Sequence, residues 1–125
     1  LGDVYKRQGR GNIALKNGGY LDTFNDYRNR TVSIGENING LGSISTYNNN
    51  SKQTSSIGSN NDGTGKLTIF DSDGRETLNL LRSLTTFNQD GKITGKYGTN
   101  NSGNGSVFLY DRFGNRGWYK TGKNS

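Results

Sequence analysis

Apolar positions recur along the chain in a fixed register. Leu21, Ile44 and Leu67 lie 23 residues apart, and so do Phe24, Tyr47 and Phe70, and Ile34, Ile57 and Leu80. One step is shorter, since Phe70 to Phe87 is 17, as if six residues of a polar loop were deleted. The longer period then returns: Leu84 to Val107, Phe87 to Tyr110 and Gly91 to Gly114 are each 23. Self-similarity of this kind marks a repeat architecture. The shared strand reads Gly-x-aliphatic-x-x-aromatic, with Leu21, Ile44, Leu67, Leu84 and Val107 in the aliphatic column and Phe24, Tyr47, Phe70, Phe87 and Tyr110 in the aromatic one. An Asx column follows at Asn25, Asn48, Asp71, Asn88 and Asp111, and three residues later come Arg28, Ser51, Gly74, Gly91 and Gly114. An Asx side chain bonds the backbone two residues on, and Gly accepts the left-handed conformation, so the pair predicts a tight hairpin turn. The first two copies lack the Gly, which predicts longer or more strained turns there.

After the turn, alternation resumes in Val32 and Ile34 and in Leu78 and Leu80, with Ser55 and Ile57 as the second-copy equivalent. Each unit therefore reads strand, turn, strand, polar loop. The loops 36–41, 59–64 and 99–104 are rich in Gly and Asn and carry no apolar periodicity. Helical spacing is not sustained anywhere, although 77–84 is locally compatible with a short helical turn. The fold class is all-β: stacked strand-turn-strand units of about 23 residues at 19–41, 42–64, 65–81, 82–104 and 105–125, forming an elongated fibre. The aliphatic column is expected to face a shared axis or core, and the 17-residue step to interrupt the regular stack. One unit offers too few apolar side chains to offset the entropy of ordering it, so burial must be multiplied by stacking, by pairing of chains, or both. A parallel homotrimer meets that demand. A single-chain β-solenoid is the alternative, and its coil needs a denser Val, Ile and Leu interior than Thr23, Thr46 and Thr86 supply.

Composition supports this reading and removes several function classes. Only 27% of the 125 residues are hydrophobic, with 20 glycines, 18 asparagines and no Pro or Met. That composition is poor in core material. The 13 aromatics nonetheless argue against a disordered tract. No Cys or His is present, which excludes disulfides, thiolate chemistry, imidazole bases and the common transition-metal ligands. The lack of Cys leaves the redox compartment open. A net charge of +6 spread along the chain reads as a solvated surface, without a nucleic-acid site. No apolar run is long enough to insert in a membrane, and no signal peptide is visible.

Candidate chemistry is sparse. Asp71-Ser72-Asp73-Gly74 has the carboxylates and Gly of a calcium loop, but Asp71 and Asp73 belong to one copy of the repeated turn, and the EF-hand's last ligand position is Arg82. Glu36, Asp62, Glu76 and Asp90 have no feature that pairs them as glycosidase carboxylates. The Gly-rich loops lack phosphate-loop spacing. No enzyme activity and no cofactor are expected. Trp118 and Tyr119, near Arg116 and Lys120, are candidates to stack on a sugar ring, or to close a terminal hydrophobic unit.

The segments GSISTYNNNSKQTSSIG, GKLTIFDSDGRETLNL and GSVFLYDRFGNRGWY resemble the repeats that lie upstream of endosialidase-type chaperone domains in phage tail fibres and bacterial surface fibre proteins. The resemblance spans about residues 18–120 and rests on repeat spacing. It implies an extracellular homotrimeric fibre shaft, on a virion appendage or a bacterial surface, that spaces or presents a receptor-binding or adhesive tip. The alternative is an adhesin module whose own loops or terminal aromatics bind a cell-surface glycan or receptor. The Ser/Lys autocleavage region of such chaperones has no counterpart in these residues. Leu1 to Gln8 (LGDVYKRQ) resembles translated sequencing-adapter read-through, and 9–18 reads as an incomplete leading repeat or linker. The chain is accordingly expected to be a fragment.

Overall fold

An Asx-led turn roughly every dozen residues, separated by short alternating segments, leaves the chain no geometry but to fold back on itself. A computed structural model describes residues 19–122. It is all-β, with ten strands: β1 (Leu21–Phe24), β2 (Arg30–Glu36), β3 (Gly42–Tyr47), β4 (Gln53–Ser59), β5 (Gly65–Phe70), β6 (Glu76–Leu81), β7 (Ser83–Phe87), β8 (Ile93–Thr99), β9 (Gly105–Tyr110) and β10 (Arg116–Thr121). They form one open antiparallel sheet in strict sequence order, β1 to β10. The two expectations for 1–8 and 9–18 lie outside the described residues.

The two classes of connection turn out to be the same. In the turn Asn25 to Arg28, the N–H of residue 28 donates to the carbonyl of residue 25 at 2.9 Å, and the N–H of residue 25 donates to the carbonyl of Asn29 at 3.0 Å. This pattern repeats at Asn48, Asp71, Asn88 and Asp111, and equally at Asn37, Asn60 and Asn100 in the polar loops. The Asx side chain accepts from the N–H two and four residues on, as Asn48 Oδ1 does from Asn50 and Lys52, both at 3.0 Å; at Asn60 the place is taken by Asp62, which accepts from the N–H of Thr64 at 2.9 Å. The fourth residue is left-handed: Gly74 has φ 84° and Gly114 φ 86°. Arg28 (φ 63°) and Ser51 (φ 59°) adopt that conformation without being Gly. Of the two alternatives for these copies, strain is realised and lengthening is not.

The hairpins at Asn25, Asn48, Asp71, Asn88 and Asp111 also carry a bulge at a fixed place, and those at Asn37, Asn60 and Asn100 pair without one. Thr46 pairs with Ser55 but Tyr47 pairs with Gln53, so Thr54 is the extra residue. By the same skip in register, Thr31, Thr77, Thr94 and Gly117 are the extra residues of the other four hairpins. The spare Thr hydroxyl bonds inward: Thr54 Oγ1 lies 2.8 Å from Thr46 Oγ1, and Thr31 Oγ1 lies 2.7 Å from Thr23 Oγ1. A bulge adds local twist and fixes register.

The aliphatic column becomes a transverse row. Leu21, Ile34, Ile44, Ile57, Leu67, Leu80, Leu84, Tyr97 and Val107 are successive cross-strand partners over nine strands. The 17-residue step does not interrupt it. Ile57 pairs with Leu67 across a connection centred on residue 62, and Leu80 pairs with Leu84 across a three-residue turn centred on Arg82, which has φ 59°. Three residues are missing from each arm, so the partners stay opposite one another and the hairpin is merely shorter. The column is expected to face a shared axis or a core; no hydrophobic residue among those described is buried, so within one chain it lines an exposed face and forms no core.

The strained turns give a direct test of this geometry. Left-handed backbone costs a non-Gly residue about 1–2 kcal/mol. Ser51→Gly should therefore raise the denaturation midpoint, while Gly74→Val should lower stability by about 1–2 kcal/mol. Chemical denaturation of the two variants beside the parent checks the opposite signs.

Candidate binding surfaces

A strand sends neighbouring residues to opposite faces. The aliphatic and aromatic columns stand three residues apart, so they occupy different faces of the sheet. One face holds the aliphatic row and, two residues further along each strand, the row Thr23, Val32, Thr46, Ser55, Ile69, Leu78, Thr86, Gly95, Leu109 and Trp118. Its side chains are open to solvent: Ile57 is 51% and Leu80 45% exposed. A shallow depression of about 610 Å³ runs over Ile34, Ile44, Ile57, Leu67 and Leu80. Gly42 and Gly65 line it, and Gly105 holds the matching place in β9; at all three an added Cβ would meet nothing within 4 Å. These glycines are not required by any contact within the chain.

The opposite face has a different chemistry. Its central row is Asp22, Ser33, Ser45, Ser56, Thr68, Asn79, Thr85, Lys96, Phe108 and Tyr119, in register across all ten strands. The aromatic column and its partners Arg30, Gln53, Glu76, Ile93 and Arg116 flank that row. Over β2 to β5 the row consists of small hydroxyl residues, and larger neighbours rise on either side to form a groove of about 710 Å³. Ser33, Ser45 and Thr68 are buried in its floor. Gln53 Nε2 donates to Ser45 Oγ at 2.8 Å, and Arg30 bridges Asp22 at 3.3 Å while lying 5.5 Å from the Tyr47 ring centroid. Towards β10 the floor fills with Phe108, stacked on Tyr119 at 5.9 Å between centroids.

The residues singled out in the sequence are thereby distributed. Tyr119 and Arg116 come together, with the guanidinium 4.8 Å from the ring. Trp118 points to the apolar face, away from both, so the three do not form one platform. Asp71 and Asp73 share Arg75: its Nη1 lies 2.9 Å from Asp73 Oδ2 and 3.7 Å from Asp71 Oδ2. Asp71 Oδ1 accepts the N–H groups of Asp73 and Arg75, both at 2.9 Å. The carboxylates are thus engaged within their own turn. Among the described residues, no group of three or more Asp or Glu is placed to hold a metal ion.

The turn hydrogen bonds also tune acidity. The backbone N–H of Arg75 holds the Asp71 carboxyl below its ordinary range, helped by the N–H of Asp73 and the charge of Arg75. Asn115 does the same to Asp111 through its side chain and N–H, and Thr64 to Asp62 through its N–H and hydroxyl. Neighbouring turns are tied laterally as well: Asn39 Nδ2 donates to Asn61 Oδ1 at 3.0 Å, and Asn88 Nδ2 to the Arg112 carbonyl at 2.8 Å.

Two features of the site escaped sequence reasoning although their signal was present. The Thr column at 31, 54, 77 and 94 has the repeat spacing but marks bulges, which alternation alone does not reveal. The Asx-x-x-Gly signature at Asn37, Asn60 and Asn100 reads as loop punctuation until its hydrogen bonds are seen. No protein-family model matches the chain, and no curated protein is significantly similar to it.

A carboxyl whose native pKa is depressed stabilises the fold fully above its unfolded pKa, and that contribution is lost as pH falls through the native value. Thermal melts taken from neutral pH down to about pH 2 should therefore show a falling midpoint in the acid limb. The double variant Asp71→Asn/Asp111→Asn, which keeps the Oδ1 acceptors but cannot titrate, should flatten that fall.

Proposed function

We propose that this chain is a segment of the shaft of an extracellular homotrimeric fibre, of the kind found on phage tails or bacterial surfaces, that spaces or presents a receptor-binding or adhesive tip. The reading is carried by the unbroken aliphatic row on one exposed face. Burying such side chains is worth about 25 cal/mol per Å² of apolar surface, and a single-layer sheet forgoes it unless another chain covers the face. Strands of one chain cannot do so, because each is already spent on the same layer. The open space around Gly42, Gly65 and Gly105 supports close approach of another backbone beside the row.

Strict sequence order of the strands favours chains packing side by side over a single-chain coil, since a coil needs parallel pairing between successive units. The repeats add strands along one axis without changing the faces, which suits a spacer. The resemblance of the repeat spacing to fibre shafts points the same way.

Analytical ultracentrifugation of the full chain checks this reading. An elongated trimer is the expected species, and a monomer at all concentrations overturns it. Ile44→Asp/Ile57→Asp should dissociate the trimer. Gly65→Val, whose added Cβ meets no atom of its own chain within 4 Å, should also weaken association while leaving the β-sheet circular dichroism unchanged.

A further inference from the structure

The apolar face leaves the hydroxyl-lined face unexplained. A surface that only needed wetting would be covered with Lys, Glu and Asp, whereas β2 to β5 carry Ser33, Ser45, Ser56 and Thr68 in line across the strands. Tyr47 and Phe70 stand along one wall of the groove and Lys66 along the other, and Glu36, at the end of β2, also lines it. Tyr20 lies at its β1 end.

We propose that this groove binds a linear, neutral, extended glycan of β-1,4-linked hexopyranose units, lying across the strands. Three features of the groove select that ligand. First, the spacing fits: floor hydroxyls recur once per strand, every ~4.8 Å, close to the rise per sugar of a fully extended pyranose chain. Tyr47 and Phe70 are on alternate strands, ~9.6 Å apart, so both rings meet the same face of a chain whose successive sugars are flipped. Second, the chemistry fits, because aromatic rings take the C–H face of a pyranose while Ser, Thr and Gln53 side chains exchange hydrogen bonds with its hydroxyls. Third, the charge fits a neutral ligand. Arg30 is already paired with Asp22, and Lys66 is the one other cation lining the groove, which Glu36 also lines, so no cation cluster is presented to a polyanion. The four strands span about 14 Å and accommodate about three sugars.

The groove is built within one chain and faces away from the aliphatic row, so its occupancy is independent of assembly. It also lies apart from the Phe108–Tyr119 stack and from Trp118.

Calorimetric titration of the full chain with cellohexaose tests the proposal, with maltohexaose as a linkage control and oligogalacturonate as a charge control. Saturable binding of cellohexaose, with neither control binding comparably, is expected. Tyr47→Ala and Phe70→Ala should each weaken it by up to about tenfold. Ser56→Trp, which fills the floor with a residue well suited to strands, should abolish binding while circular dichroism and sedimentation stay as in the parent. Trp118→Ala and Gly65→Val should leave it intact, so loss of assembly and loss of binding are read separately. No saturation with cellohexaose at millimolar concentration, equal binding of maltohexaose, or an unchanged affinity in Ser56→Trp overturns the proposal. So does loss of the assembled species in Ser56→Trp, which would make this face an interface between copies.

Discussion

Cross-strand register governs this protein more than any single contact does. In a sheet of one layer, a slip of one residue in any hairpin would send every later side chain to the wrong face. The chain prevents this with a device repeated at every long connection. An Asx carboxyl or amide gathers backbone N–H groups, two in every such turn but that at Asn60, where Asp62 takes the N–H of Thr64; the fourth residue turns left-handed, and in the five hairpins that follow the aromatic column one extra residue bulges before pairing resumes. The short turn at Arg82 obeys the same requirement by different means, removing equal lengths from both arms so that Leu80 still faces Leu84.

Because no hydrophobic residue among those described is buried, the usual source of stability is missing from the single chain. What remains is the backbone ladder, cross-strand pairs worth roughly 0.2–1 kcal/mol each, and the lateral bonds between neighbouring turns. Such a structure is additive along its axis. Each hairpin is stabilised mainly by those beside it, which lets units be repeated without a new core being designed.

The same alternation divides labour between the faces. Aliphatic residues and unencumbered glycines gather on one side, where close packing against another chain is useful. Hydroxyls and aromatics gather on the other, where they meet solvent or a polar ligand. The proposals of a shaft and of a glycan groove draw on opposite faces of one sheet and do not compete for residues. A side chain such as Trp118 is separated from Tyr119 by the thickness of the sheet despite being its neighbour in sequence.

From the sequence alone, the periodic columns determined that the chain is all-β and which residues open and close the turns after the aromatic column. Turn chemistry is local: Asp71 finds Arg75 four residues away. The three-residue offset between Leu21 and Phe24 already implied opposite faces, but only the observed pairing shows that the bulge residues preserve this in every hairpin. Tertiary structure alone decided that the five units share one layer, that the aliphatic row runs unbroken past the 17-residue step, and that no core encloses it. Those features depend on which strand pairs with which, over separations that local propensity does not sense. The groove is legible only then: Ser33 and Ser56, like Ser45 and Thr68, keep the 23-residue spacing, but only strand pairing sets the two pairs in one line.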